Sequence, residues 1–233
     1  MKFRAAPTPG SMGGTGFAVD VCDVRVDLGG SPILDLPGLQ LQPGGALVVT
    51  GRNGAGKTTL LRVVSGTAKP STGAVSVFGI VPDERSTDFR KLVATQLSVP
   101  PLASDLTLIE HLMLVGVSWG LNAAAATTRG EEMLRRFGVE YIARHYPQEI
   151  SSGERQVFSL AMALCRPSKL LILDEPERHL DTGRITTLTE VLKQYMHDGG
   201  AILVASHSAQ LVTELGCPVL ELQRPDATQL ATQ

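Results

Sequence analysis

Apolar and polar residues alternate through FAVDVCDVRVDL, residues 17–28, with the period of two expected of an antiparallel strand that keeps one face in water. ALVVT (46–50) is apolar throughout, the pattern of a strand covered on both faces. KLLILDEP (169–176) and GAILVASHS (200–208) repeat that pattern, each ending in polar residues, and AVSVFG (74–79) follows the turn-forming KPSTG. Helical spacing of apolar residues runs through 57–65, 106–120, 128–137, 154–165 and 183–197. Buried strands alternating with helices predict a layered α/β domain around a mostly parallel sheet. From about 98 to 165 the alternation stops. That stretch is expected to be a helical insertion, and it includes the alanine run 123–126. Residues 1–16 are expected to form a loose leader and 224–233 a frayed tail, leaving 17–223 as one domain.

Length and charge narrow the function classes. The chain has 233 residues, 43% of them apolar, enough for one sizeable core. Its formal net charge of −2 provides no general attraction to nucleic acid or anionic lipid, so no nucleic-acid partner is expected. Cys22, Cys165 and Cys217 are odd in number and widely spaced, which argues against a disulfide framework or zinc site and fits a reduced cytosolic protein. The opening MKFRAAPTPGSMGGTG lacks the apolar stretch of a signal peptide. The most apolar segment, LIEHLMLVGVSWGLNAAAA, is interrupted by Glu110 and His111, short of the ~20 apolar residues that cross a bilayer.

The chemistry is concentrated after ALVVT. Gly51, Arg52, Asn53, Gly54, Ala55, Gly56, Lys57, Thr58 and Thr59 follow the spacing G-x-x-x-x-G-K-T between a strand and a helix, the phosphate-loop pattern. Glycines there let successive N–H groups turn toward one anion, and the helix start adds its positive dipole end. Lys57 is the candidate cation for the outer phosphates of a nucleotide, and the Thr58 hydroxyl is the candidate ligand for Mg²⁺. Downstream, LLILDEP places Asp174 and Glu175 at a strand end, the first suited to Mg²⁺ and the second to taking a proton from an attacking water. ISSGERQ (150–156) opens an apolar helix with a hydroxyl and a glycine, the makings of an anion site.

With these motifs in this order the chain resembles the ATP-binding subunit of an ABC (ATP-binding cassette) transporter, over about residues 17–222. The fold the resemblance implies is a P-loop α/β cassette: a mostly parallel core sheet, an antiparallel β subdomain and a helical signature subdomain. It implies ATP and Mg²⁺ as cofactors. Ile150, Ser151, Ser152, Gly153 and Glu154 stand where the family has LSGGQ, the signature that grips ATP held by the other protomer. His207 in LVASHS stands at the switch histidine, and Asp181 at the last residue of the D-loop, which crosses the dimer interface.

Several positions depart from the family pattern. Leu28 occupies the place of the aromatic that stacks on adenine. Gln96 is the nearest candidate for the Q-loop glutamine, two residues before Ser98, where the count back from Leu106-Thr107 falls. Ser152 and Glu154 replace a glycine and a glutamine in the signature, and Glu154 is tolerable beside a phosphate if it points away or pairs with Arg155. Arg178 and His179 replace small residues in the D-loop.

The resemblance further implies a homodimer enclosing two ATPs, because one loop and one signature acting in trans cannot complete a site alone. It implies a separate transmembrane permease, with the cassette cytoplasmic and peripheral on the inner face of the membrane. The segment LTLIEHLMLVGVSWG is the candidate docking region. The sequence leaves two alternatives open: a soluble ABC ATPase acting on nucleic acid or ribosomes, and a nucleotide-sensing regulator.

Overall fold

The computed structural model describes residues 16–225, so all but three residues of the expected leader and tail (16, 224 and 225) lie outside the described residues. Two sheets form. β1 (Val19–Leu28), β2 (Ser31–Leu41) and β4 (Thr72–Val77) make an antiparallel sheet in the order β2-β1-β4. β3 (Ala46–Thr50), β5 (Val93–Gln96), β6 (Leu170–Asp174), β7 (Ala201–Ala205) and β8 (Val219–Glu221) make a parallel sheet in the order β5-β6-β7-β3-β8.

The continuous apolar runs now have a physical reason. In β6, Leu170 and Ile172 enter one core while Leu171 and Leu173 enter another, and β7 divides its residues in the same alternating way. One core lies between the parallel sheet, α1 (Lys57–Val64) and the antiparallel sheet. The other lies under α3 (Leu108–Ser118), α4 (Ala123–Arg136), α5 (Ser152–Cys165), α6 (Thr182–His197) and α7 (Ala209–Leu215).

Five of the described strands and α-helices, β2, β5, β8, α7 and the short α2 (Thr87–Leu92), are not legible in the hydrophobic pattern. β2 contains Pro32 and Pro37, which argue against a strand, yet it is an edge strand, where a missing N–H costs no ladder bond. β5 has only four residues, β8 only three, and α7 only seven, each too short for a periodicity to show. Capped by Ser86, α2 leads directly into β5. α4 begins at Ala123 rather than near 128 because Asn122 accepts the Ala125 N–H and caps the alanine run.

Candidate functional site

The loop between β3 and α1 is shaped by backbone that only glycine tolerates. At Gly51 φ is 136°, and an added Cβ would lie 2.4 Å from the Leu222 carbonyl oxygen. At Gly56 φ is 93°, and a Cβ would meet the Ile33 carbonyl oxygen at 2.7 Å. Gly56 is also the N-cap of α1, so no side chain caps this helix and its first turn carries no acidic residue. Its leading N–H groups and dipole are left for an external anion. Lys57 is buried, 7% exposed, and its ammonium donates to the Gly51 carbonyl at 2.8 Å and the Arg52 carbonyl at 3.4 Å. Carbonyl oxygens, not a carboxylate, hold this cation, so its charge is not neutralised by them.

Thr58 and Asp174, 116 residues apart in sequence, meet at the ends of α1 and β6: the Thr58 hydroxyl donates to the Asp174 carboxylate at 2.7 Å. On the neighbouring strand, Gln96 pairs in register with Leu173, the residue before Asp174. Gln96 is 4% exposed and its carbonyl Oε1 has no hydrogen-bond partner among the described residues. A hydroxyl, a carboxylate and an amide oxygen are hard donors of the kind Mg²⁺ accepts, and Mg²⁺ takes one or two protein oxygens and completes its shell with water and phosphate. Among the described residues no group of three or more His, Cys, Asp or Glu forms a metal cage, as that mode of binding allows.

Glu175 follows Asp174 at φ 48°, an uncommon conformation for a residue with a side chain, fixed by its N–H donating to the Ala205 carbonyl at 2.9 Å. The His207 Nε2 lies 3.7 Å from the Glu175 carboxylate, with both side chains partly exposed. Asp181 caps α6 by accepting the Arg184 N–H at 2.8 Å.

The signature segment is a second helix start, and there a capping box is complete. Ser151 accepts the Glu154 N–H, while the Glu154 carboxylate accepts the Ser151 N–H at 2.8 Å and its hydroxyl at 2.7 Å. Tyr141 donates its hydroxyl to the other Glu154 oxygen at 2.6 Å. These bonds, the Ser151 hydroxyl foremost and Tyr141 next, hold the Glu154 carboxyl at a pKa of about 2. Glu154 therefore neither points away from the helix start nor pairs with Arg155, which instead donates to the Pro147 carbonyl. The Ser151 N–H and hydroxyl are thus already given to a carboxylate, which an incoming phosphate has to displace. Ser151 and Ser152 are exposed, whereas Gly153 is buried. A Cβ at Gly153 would lie 2.9 Å from the His179 carbonyl and 2.8 Å from the Arg184 guanidinium, so glycine lets α5 approach the loop that carries Asp181.

Leu28 ends β1 opposite Ser31 across a turn at Gly29 and Gly30 and is 73% exposed, an apolar side chain in solvent. Of the suggested docking segment, Leu108, His111, Leu112 and Gly116 are buried, whereas Leu114 and Val117 are exposed. Two residues near the site belong to no motif of the sequence. Arg184 is placed beside Gly153 only by tertiary packing. Glu177 was visible as the polar residue after DEP, but nothing in the sequence indicates which loop it meets.

The family model described as ABC transporter matches residues 34–178, covering the phosphate loop, the signature and Asp174-Glu175 but stopping short of Asp181 and His207. A lipoprotein-releasing system ATP-binding protein, LolD 1, of Rhodopirellula baltica is 29% identical over 194 residues, 80% of this chain and 85% of that one. A solved structure of an ATP-binding subunit of an ABC transporter superposes with a TM-score of 0.79 at 28% identity, covering 88% of this chain and 86% of that chain. A dimeric ATP-binding cassette bound to ADP and Pi shares the fold, with a TM-score of 0.78 at 22% identity over 88% of this chain and 94% of that one.

Proposed function

Since the chain belongs to the ABC transporter family and is an ATP-hydrolysing subunit of that kind, we propose that two copies close head to tail around two ATP molecules and drive a separate membrane-spanning permease. The Thr58–Asp174 contact carries the reading of the nucleotide site, since it brings a strand end and a helix start to one point beside an uncapped anion-binding turn.

In this site the triphosphate lies on the N–H groups of residues 51–59, with Lys57 turning from its carbonyl partners toward the outer phosphates. Thr58 and Asp174 would hold Mg²⁺, with Gln96 completing the oxygen set; the ion, when bound, offsets phosphate charge. Glu175 takes a proton from the attacking water. His207, held near it, donates to the phosphate oxygen that gains charge. Leu28 contributes an apolar contact to adenine.

The dimer follows from where the second anion site lies. Ser151 and Ser152 at the start of α5 are open to solvent, as a surface that meets a partner's nucleotide must be. The dimeric cassette that shares this fold supports the arrangement. ATP thereby joins the two protomers, and its hydrolysis releases them. Among the described residues no helix is long and apolar enough to cross a membrane, and the exposed Leu114 and Val117 on α3 offer apolar surface for a permease.

Glu175→Gln tests the mechanism. It keeps the site's shape while removing the base, so in saturating Mg-ATP it should elute at twice the 24.7 kDa protomer mass by light scattering and turn over negligibly. A monomer under those conditions overturns the sandwich. Recovery of a polytopic protein with the cassette from solubilised membranes tests the permease.

A further inference from the structure

Glu177 lies outside the groups assigned to binding and hydrolysis, yet three hydrogen bonds converge on one oxygen of its carboxylate. One oxygen, Oε1, accepts the Ser206 hydroxyl at 2.6 Å, the His207 N–H at 2.9 Å and the Ser208 N–H at 3.1 Å. The other oxygen, Oε2, is buried and has no hydrogen-bond partner among the described residues, where the donors that hold this carboxylate all belong to the turn 206–208. The same turn is held behind by the Ser206 N–H, which donates to Val49. The residue before Glu177 is anchored too: Gln156 of α5 donates to the Pro176 carbonyl at 3.0 Å.

We propose that Glu177 is a positioning residue that fixes the backbone of His207 so that its imidazole meets the reacting phosphate opposite Glu175. Hydrogen bonds to an ionised acceptor are about twice as strong as neutral ones, and three on one oxygen make a stiff joint. The joint holds the main chain of His207 and leaves its ring, 44% exposed and 3.7 Å from Glu175, free to turn toward a nucleotide. It also ties the turn after β7 to the segment after β6, so Glu175 and His207 move as one unit. Small errors in such placement are costly, about 100-fold in rate for roughly 1 Å. The proposal rests on the ATPase reading of the site, and on His207 serving it.

Steady-state ATPase kinetics and nucleotide affinity of Glu177→Ala and Glu177→Gln, with His207→Ala as reference, provide the test. Glu177→Ala should lower kcat by about tenfold or more while KM and ATP affinity change by less than about twofold, because the phosphate loop is untouched. Glu177→Gln retains an acceptor oxygen and should recover to within about threefold of wild-type kcat. Adding Glu177→Ala to His207→Ala should cost nothing further. In hydrogen exchange, the His207 amide should be slow in wild type and Glu177→Gln and fast in Glu177→Ala, whereas the Ser208 amide, which the Ser206 hydroxyl also accepts at 3.0 Å, should change less.

Unchanged kcat in Glu177→Ala beside an inactive His207→Ala overturns the proposal alone. An active His207→Ala overturns the site assignment and the proposal together. Equal losses in Glu177→Ala and Glu177→Gln, or a parallel loss of ATP affinity, mark Glu177 as merely structural and also overturn it. Should Glu177→Ala not fold, Glu177→Gln and the wild-type His207 amide decide: fast exchange at His207 in wild type refutes the joint.

Discussion

Replacing Lys57 by methionine separates a phosphate ligand from a structural strut. Lys57 is buried, and its ammonium is held by two loop carbonyls, one at 2.8 Å and one at 3.4 Å. Methionine replaces it with an apolar chain of similar length. Removing a buried charge relieves a desolvation cost, while the Gly51 carbonyl loses its donor at a position only partly buried, where water can replace it. The opposing terms leave the stability of the nucleotide-free protein within about 1 kcal/mol of wild type. Binding is different. At about 3 Å and an effective dielectric near 20, attraction between unit charges is of order 5 kcal/mol before desolvation, and removing one partner of such a buried pair costs about 2–5 kcal/mol. At about 1.4 kcal/mol per decade, that is a loss of roughly 30- to 4000-fold in ATP affinity. Because Lys57 addresses the outer phosphates, AMP binding should change by less than about threefold. Calorimetric titration with ATP, ADP and AMP, together with urea unfolding of the nucleotide-free protein, measures both arms. ATP affinity within about threefold of wild type, or destabilisation beyond about 3 kcal/mol, would show that the lysine braces the loop and does not bind phosphate.

Gly51→Ala should lower stability by about 2 kcal/mol or more in urea unfolding, because φ of 136° and a Cβ 2.4 Å from the Leu222 carbonyl leave no room for a side chain. Glu154 has its folded pKa depressed to about 2 from the usual 4.5. A depressed carboxyl contributes stability above 4.5 that is lost as pH falls toward 2, so the advantage of wild type over Glu154→Gln should be constant above about pH 6 and shrink through the acid range in pH-dependent denaturant titrations. Leu28→Trp should tighten ATP binding by about tenfold, since base–aromatic stacking contributes about 1–3 kcal/mol; unchanged affinity would place adenine elsewhere.

Features that a few neighbouring residues control are written in the chain itself. Strand 46–50, the loop beginning at Gly51 and the helix beginning at Lys57 could be read because solvent exposure, glycine backbone freedom and helix-dipole direction act within a few residues. The same holds for Ser151 as a helix cap and for the strand that ends in Asp174 and Glu175. Tertiary structure decided whatever required two distant segments to meet. Strand order β5-β6-β7-β3-β8 brings Thr58 to Asp174 and seats Gln96 beside Leu173, and no pattern within one segment encodes that order. β2, with its prolines, is a strand only because it has a partner on one side alone. Glu177 and the turn 206–208 are about thirty residues apart, joined because β6 and β7 are neighbours that end at the same edge of the sheet. Side-chain periodicity records which face of an element is dry; which neighbour dries it is settled by packing the whole chain.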